Sequence, residues 1–307
     1  MDKNISFSLN TPTMRRIVRA FQQLAVTRPA RFFLRALAAP LLPLRARYQP
    51  RRFHAYCIGS VKSGTHSIAG MFASHYRAAH EAESAEFIDA IIASSRGILP
   101  ASTCQRFLKQ RDLRLWLELE ASHLLAYLLP ELLETFPDAR YILTIRDCYS
   151  WLDSYINQLY YRGNGAHWKR FSEWRYPAEQ HLYAPEEKIL AAHGLCPLDL
   201  YLALWKEHNE HVLRLVPAER LLIIRTHEIL DSAPQLAEFL DIPVKHLDVS
   251  RGHSYQARGK SNVLYQIDRD FLAHRFQRHC QEFMSRFFPE FTFEQWHAKM
   301  LRSLDNG

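Results

Sequence analysis

From residue 53 to residue 240 the chain alternates short apolar runs with longer stretches whose apolar positions recur every three or four residues. Residues 53–58 (Phe-His-Ala-Tyr-Cys-Ile) are stopped by Gly59, the pattern of a strand buried on both faces. A helix is expected over 65–76, a second strand over 113–119, and a helix over 124–136 closed by Pro137. The clearest strand is 140–146 (Arg-Tyr-Ile-Leu-Thr-Ile-Arg), followed by a helix over 148–161. A long helix over 198–215, a strand over 220–225 and a short helix over 233–240 complete the pattern. Strands separated by helices predict an α/β fold of three layers, a central parallel sheet flanked by helices. Residues 162–187 break the rhythm: they are rich in Trp, Tyr, His and Arg and carry Gly163, Gly165, Pro177 and Pro185. They read as an elaborated loop over a site, where substrate contacts are expected. Trp168, Trp174 and Tyr176 in it either stack on a sugar ring or pack the loop down.

Charge divides the chain differently. Of 307 residues, 39 are Lys or Arg and 32 Asp or Glu, a net charge of +7. Residues 1–52 hold eleven of the basic residues against one acid, Asp2, and the next acid is Glu81. The chain therefore reads as a basic N-terminal arm, 1–52, ahead of one domain, 53–307. Within the arm, residues 14–48 mix arginine with Ile17, Phe21, Leu24, Phe32 and Leu37 at partly helical spacing. Such a segment suits peripheral contact with an anionic membrane surface, or equally packs onto the main domain with its arginines in water. Nothing resembles an RNA-binding motif, so no nucleic-acid partner is expected. The longest uncharged run of the arm contains Pro40 and Pro43 and falls far short of the ~20 apolar residues of a spanning helix. Five scattered cysteines without a Cys-x-x-Cys pair fit a reduced, cytoplasmic setting, at most at the inner face of a membrane. An arginine-rich organellar presequence also remains open.

The candidate chemistry begins at Gly59-Ser-Val-Lys-Ser-Gly-Thr65, between a predicted strand and a predicted helix. Several backbone N–H groups there can converge on an anion at the positive end of the helix. A nucleoside-triphosphate loop would place Lys-Ser/Thr directly after the second glycine, but here Thr65 and His66 follow Gly64 and the lysine is Lys62. The magnesium-holding arrangement of a kinase is thus not matched, and a plain strand-to-helix turn stays the bland alternative. A second feature lies at the end of the 140–146 strand: Arg146, with Ser154 eight residues on. An arginine fork and a hydroxyl two helical turns apart can close on one phosphate.

Together these motifs resemble the sulfotransferases that use 3′-phosphoadenosine 5′-phosphosulfate (PAPS), whose signature is Pro-Lys-Ser-Gly-Thr-Thr after the first strand and an Arg with a Ser eight residues later. This chain has Val61-Lys-Ser-Gly-Thr-His66 and Arg146 with Ser154. Residues 136–147 look like the bacterial and carbohydrate-type members, and 221–243 are similar to that family's later strand, turn and helix. The likeness spans about residues 53 to 290. It implies a P-loop-like fold in which Lys62, Ser63, Gly64, Thr65 and His66 surround the 5′-phosphosulfate while Arg146 and Ser154 hold the 3′-phosphate. Lys62 would be the main electrostatic catalyst, and no metal is required. The family's C-terminal Arg-Lys-Gly loop is matched out of order by Arg258-Gly-Lys260, which implies Arg258 and Gly259, and more weakly Lys260, on the 3′-phosphate. Ser67 stands where the cytosolic branch has an adenine-stacking Trp.

The likeness also implies a general base for the acceptor hydroxyl, and two residues compete: Glu83, with Glu81 beside it, by analogy with carbohydrate-type members, or His123, by analogy with the small-molecule branch. The expected acceptor is a saccharide, a glycolipid or a related small metabolite. A nucleotide kinase and a non-catalytic nucleotide-binding module are the rival functions. His208 and His211 share a predicted helix, but no Cys or Asp stands at ligand spacing, so no metal site is expected.

Overall fold

In a computed structural model the described residues are 49–161, 165–253 and 261–305. The chain divides into two units, 1–50 and 51–307, and the second holds the sheet and the candidate site. The arm segment 14–48 and Arg258, Gly259 and Lys260 lie outside the described residues.

Five strands form one parallel sheet: β1 (Ala55–Cys57), β2 (Ala78–His80), β3 (Leu119–Ala121), β4 (Arg140–Ile145) and β5 (Leu221–Arg225), in the spatial order β2-β3-β1-β4-β5. Register pairs Ala55 with Leu119 on one side of β1 and with Arg140 on the other, and Tyr141 with Leu221 across β4 and β5. Alternation along the strands assigns the two faces. Ala55, Cys57, Ile142 and Ile224 join the core under α1 (Thr65–Phe72) and α9 (Ala233–Leu240). Tyr56, Ile58, Tyr141, Leu143 and Ile145 join the larger core under α5 (Cys148–Tyr161), α8 (Leu198–Leu215) and α10 (Arg269–Phe287). The result is the three-layer α/β arrangement expected from the pattern, with basic Arg51 and Arg52 ahead of β1.

The remaining helices are α2 (Ser84–Ser95), α3 (Ala101–Leu115), α4 (Leu129–Thr135), α6 (Ala166–Arg175), α7 (Lys188–Ala192) and α11 (Phe293–Asp305). Three local expectations are corrected. Residues 113–115 close α3 instead of opening a strand, because Cys104, Leu108 and Arg111 form one buried helical face. The strand of that region is β3, after a chain reversal at Trp116 with φ 48°. The helix expected over 124–136 is split into a 3-10 turn, His123–Leu128, capped by the Ser122 hydroxyl, and α4. The stretch 162–187 contains the ten-residue helix α6. Within it Trp174 donates to the Ser95 hydroxyl at 2.9 Å and Tyr176 is buried, so both pack the segment down, whereas Trp168 stacks on His123.

Candidate functional site

Each strand ends by delivering one side chain to the same cleft: Lys62 after β1, Glu81 after β2, His123 after β3, Arg146 after β4 and Thr226 after β5. A crevice beyond the carboxyl ends of parallel strands is where α/β sheets place ligands. The cleft measures about 810 Å³.

The loop after β1 is shaped for close approach. Lys62 has φ 64° and Gly64 φ 105°, so two left-handed residues in three fold the backbone tightly ahead of α1. The Ser63 hydroxyl donates to the Ser60 carbonyl at 2.7 Å and lies 2.8 Å from Thr144 Oγ1 on β4. A Cβ on Gly59 would stand 1.9 Å from that threonine oxygen, so the loop seats against β4 only because residue 59 has no side chain. The loop's carbonyls are taken up from outside: Trp151 Nε1 donates to Val61 O at 2.6 Å and Arg146 Nη1 to Lys62 O at 3.2 Å. The Thr226 hydroxyl is shared between Ser63 O, 2.6 Å away, and Ile145 O, 2.9 Å away. With the carbonyls so engaged, the first turn of α1, which holds no acidic residue, lines the cleft beside Lys62 with the positive end of the helix.

Arg146 is oriented by its own helix. Asp147 caps the start of α5, accepting from Ser150 N at 2.9 Å and from the Ser150 hydroxyl, and that hydroxyl in turn accepts from Arg146 Nε at 2.9 Å. Trp205 Nε1 donates to Arg146 O at 3.0 Å. Burial pulls the Arg146 guanidinium below its ordinary pKa, against the raising influence of Asp147 and Asp153, yet leaves a cation. Ser150, Ser154, Asn157 and Gln158 recur at helical spacing and all line the cleft, so one face of α5 is its wall. Lys62, Gly64, Thr65, His66, Arg146 and Ser154 are thus brought together around one space; Ser63 sits buried beneath it as a brace. Asn157 Oδ1 also accepts from Ser261 N at 2.6 Å, and Gly252 lines the cleft.

The two base candidates part company. Glu83, itself at φ 48°, is ion-paired with Arg114 at 2.8 Å and Arg111 at 3.7 Å and is not among the cleft's lining residues. Arg111 is buried and also forks onto Glu120 of β3, at 2.6 and 2.5 Å, which fixes the clamp on Glu83. Glu81 and His123 both line the cleft, and His123 Nδ1 donates to Glu81 Oε1 at 3.2 Å. Burial pushes the His123 imidazole below its ordinary pKa, with the Glu81 carboxylate opposing, so the ring is neutral near pH 7. Thr226 and Thr144 went unnoticed in the sequence; their signal, a hydroxyl residue within or just after a predicted strand, recurs too often to single them out.

His208 is a core residue: its Nε2 donates to Ile58 O at 2.8 Å, and burial pushes its pKa down to about 3. Among the described residues no group of three His, Cys, Asp or Glu is arranged to hold a metal, and no helix is long and apolar enough to cross a membrane.

Comparison with known families matches residues 56–257 to the sulfotransferase domain. No curated protein sequence matches. Among solved structures, a sulfotransferase from Mycobacterium avium superposes with a TM-score of 0.50 at 15% identity, covering 91% of this chain and 86% of its own. A sulfotransferase from Alicyclobacillus acidocaldarius gives a TM-score of 0.47 at 13% identity, covering 80% of this chain and 98% of its own. At 15% identity the likeness to the Mycobacterium avium structure is one of fold.

Proposed function

This chain belongs to the sulfotransferase domain family, and from that premise we propose that it moves the sulfuryl group of PAPS to a hydroxyl of a saccharide, glycolipid or related metabolite. The observation that carries the reading is the convergence of Lys62, the α1 amides, Arg146 and Ser154 on one cleft of about 810 Å³, within the usual span of ligand clefts. That donor set fits a nucleotide with two separate anionic groups. Lys62 and the loop amides would hold the 5′-phosphosulfate, and Arg146 and Ser154 the 3′-phosphate. Ile229 and Leu230 are the apolar side chains of the same wall and suit the purine.

When bound, the nucleotide supplies an activated sulfuryl group and a good leaving group. The protein supplies position and charge. With the phosphosulfate so held, Lys62 would face the bridging oxygen on which negative charge grows, and a fixed ammonium there would lower the barrier without reorganisation. The proton of the acceptor hydroxyl passes to Nε2 of His123, where the hydroxyl displaces the long 3.4 Å contact from Arg175 Nη2; Glu81 on Nδ1 holds the neutral ring in that tautomer and then stabilises the imidazolium. Glu83, tied to two arginines outside the cleft, takes no part in the proton step.

The deciding experiment is calorimetric titration with adenosine 3′,5′-bisphosphate, with magnesium ATP for comparison, on the native protein and on Arg146→Ala. Bisphosphate binding that is lost in the variant supports the reading. A preference for ATP, or no nucleotide binding, refutes it.

A further inference from the structure

Beyond His123 a second, smaller recess of about 50 Å³ adjoins the cleft, sharing Glu81 and His123 with it and walled by Tyr155, Trp168, Phe171 and Arg175. Arg175, the last residue of α6, makes its hydrogen bonds and ring contacts with neutral groups. Its Nη2 donates to His123 Nε2 and its Nη1 to the Tyr155 hydroxyl, both at 3.4 Å, and its guanidinium lies 4.2 Å from the centre of the Phe171 ring. Among the described residues no carboxylate pairs with it, and its Nε is shut off from solvent with no hydrogen-bond partner. Glu81, the carboxylate that shares the recess, is engaged on the opposite ring nitrogen of His123. A guanidinium withdrawn from water without a counter-charge is costly. An anion entering the recess would supply the missing counter-charge to the two Nη groups.

We propose that Arg175 receives a carboxylate of the acceptor, so that the enzyme acts on acidic acceptors of the uronic-acid type, with the reacting hydroxyl at His123 only a few bonds from that carboxylate. The proposal rests on the sulfotransferase reading for the word acceptor, but the carboxylate subsite stands on the recess alone. Size favours this anion: 50 Å³ has room for about three or four waters, which matches a carboxylate better than a sulfate or phosphate ester. Chemistry agrees, since a planar guanidinium pairs with a carboxylate through two parallel N–H donors. The hydroxyl next to the carboxylate-bearing carbon of a uronic acid is close enough for one residue pair, His123 and Arg175, to serve both groups. Trp168, stacked on His123 with ring centres 5.8 Å apart, offers a sugar ring an apolar surface at the mouth.

The test is calorimetry of methyl glucuronide against methyl glucoside, on the native protein and on Arg175→Gln, each with and without saturating adenosine 3′,5′-bisphosphate. The glucuronide should bind at least about ten-fold more tightly, the worth of one hydrogen bond between charged groups. Arg175→Gln should erase the preference while retaining the nucleotide, which shows that the variant is folded. If Arg175→Gln does not fold, Arg175→Lys carries the test, keeping the charge but losing the fork, and should lose most of the preference. Equal affinity for the two glycosides, no glucuronide binding, or a preference that survives in a folded Arg175→Gln protein overturns the proposal. Glucuronide preference in a protein that binds no bisphosphate would keep the subsite and reject the sulfotransferase reading, so the two failures are distinct.

Discussion

Arg146 donates to the carbonyl of Lys62 across 3.2 Å, so the two cations proposed to grip opposite phosphates of one nucleotide are joined through the backbone of the first. Removing the Arg146 side chain therefore takes away a phosphate ligand and loosens the lysine loop together. Arg146→Ala should weaken adenosine 3′,5′-bisphosphate by about a hundred-fold, two charge-assisted bonds' worth. Ser154→Ala, which leaves the loop untouched, should weaken it by about ten-fold or less. Calorimetry on both variants checks the order.

Lys62→Ala should lower kcat by roughly 10²–10³-fold, the usual cost of one donor aimed at developing charge. Lys62→Arg should recover part of the rate. Single-turnover sulfation rates separate this from any change in nucleotide affinity.

The proton step makes a three-way prediction. His123→Asn should lower kcat/KM by about 10²–10⁴-fold. Glu81→Gln should lower it less and move the acid limb of the pH profile to lower pH, because the carboxylate that raises the His123 pKa is gone. Glu83→Gln should leave the shape of the profile unchanged. A profile altered by Glu83→Gln and not by Glu81→Gln would reverse the assignment.

His208 sets part of the acid stability. Its folded pKa of about 3 lies below the ordinary value of 6.5, so below pH 6.5 the unfolded chain binds a proton that the native state refuses. Stability is fully retained above pH 6.5 and declines by about 1.4 kcal/mol per pH unit as the pH falls from there towards 3. His123, shifted in the same direction, adds to the slope. Urea unfolding from pH 7 to pH 4.5 should show the decline, and His208→Gln should flatten it.

Gly59→Ala should destabilise the protein by about 1–3 kcal/mol, because the new methyl meets Thr144 Oγ1 at 1.9 Å and Ser63 Oγ at 2.5 Å with a β-strand behind them. Gly64→Ala meets only the flexible tip of Ile229, at 2.3 Å, but its φ of 105° strains any side chain, for about 1–2 kcal/mol. Thermal melts measure both, and nucleotide should protect the Gly59 variant less than the native protein.

The sheet was legible where strands are long and continuously apolar. Tyr-Ile-Leu-Thr-Ile of β4 and Leu-Leu-Ile-Ile of β5 cannot be mistaken for amphipathic helix. The three-residue β2 and β3 leave almost no pattern, and the alternating leucines of 113–119 imitate a strand that the buried face of α3 overrules. That the loop after β1 and Arg146 meet at one cleft could be read because each follows a recognisable strand. Which of Glu83, its neighbour Glu81 and His123 lines the cleft could not be read, since Glu83 is drawn off by Arg111 and Arg114, which come from a helix some thirty residues later in the chain.

The spatial order β2-β3-β1-β4-β5 has a consequence for biosynthesis. The first strand made becomes the centre of the sheet, and its flanks arrive in instalments. Lys62 leaves the ribosome early, but its loop is braced by Thr144, Arg146, Trp151 and finally Thr226. A nascent chain shorter than about residue 226 therefore carries the lysine without the architecture that aims it. The proposed nucleotide could act as a folding ligand only once roughly three quarters of the polypeptide has emerged, and until then the loop depends on the sheet's own contacts, or on a chaperone, to stay out of misdirected pairings.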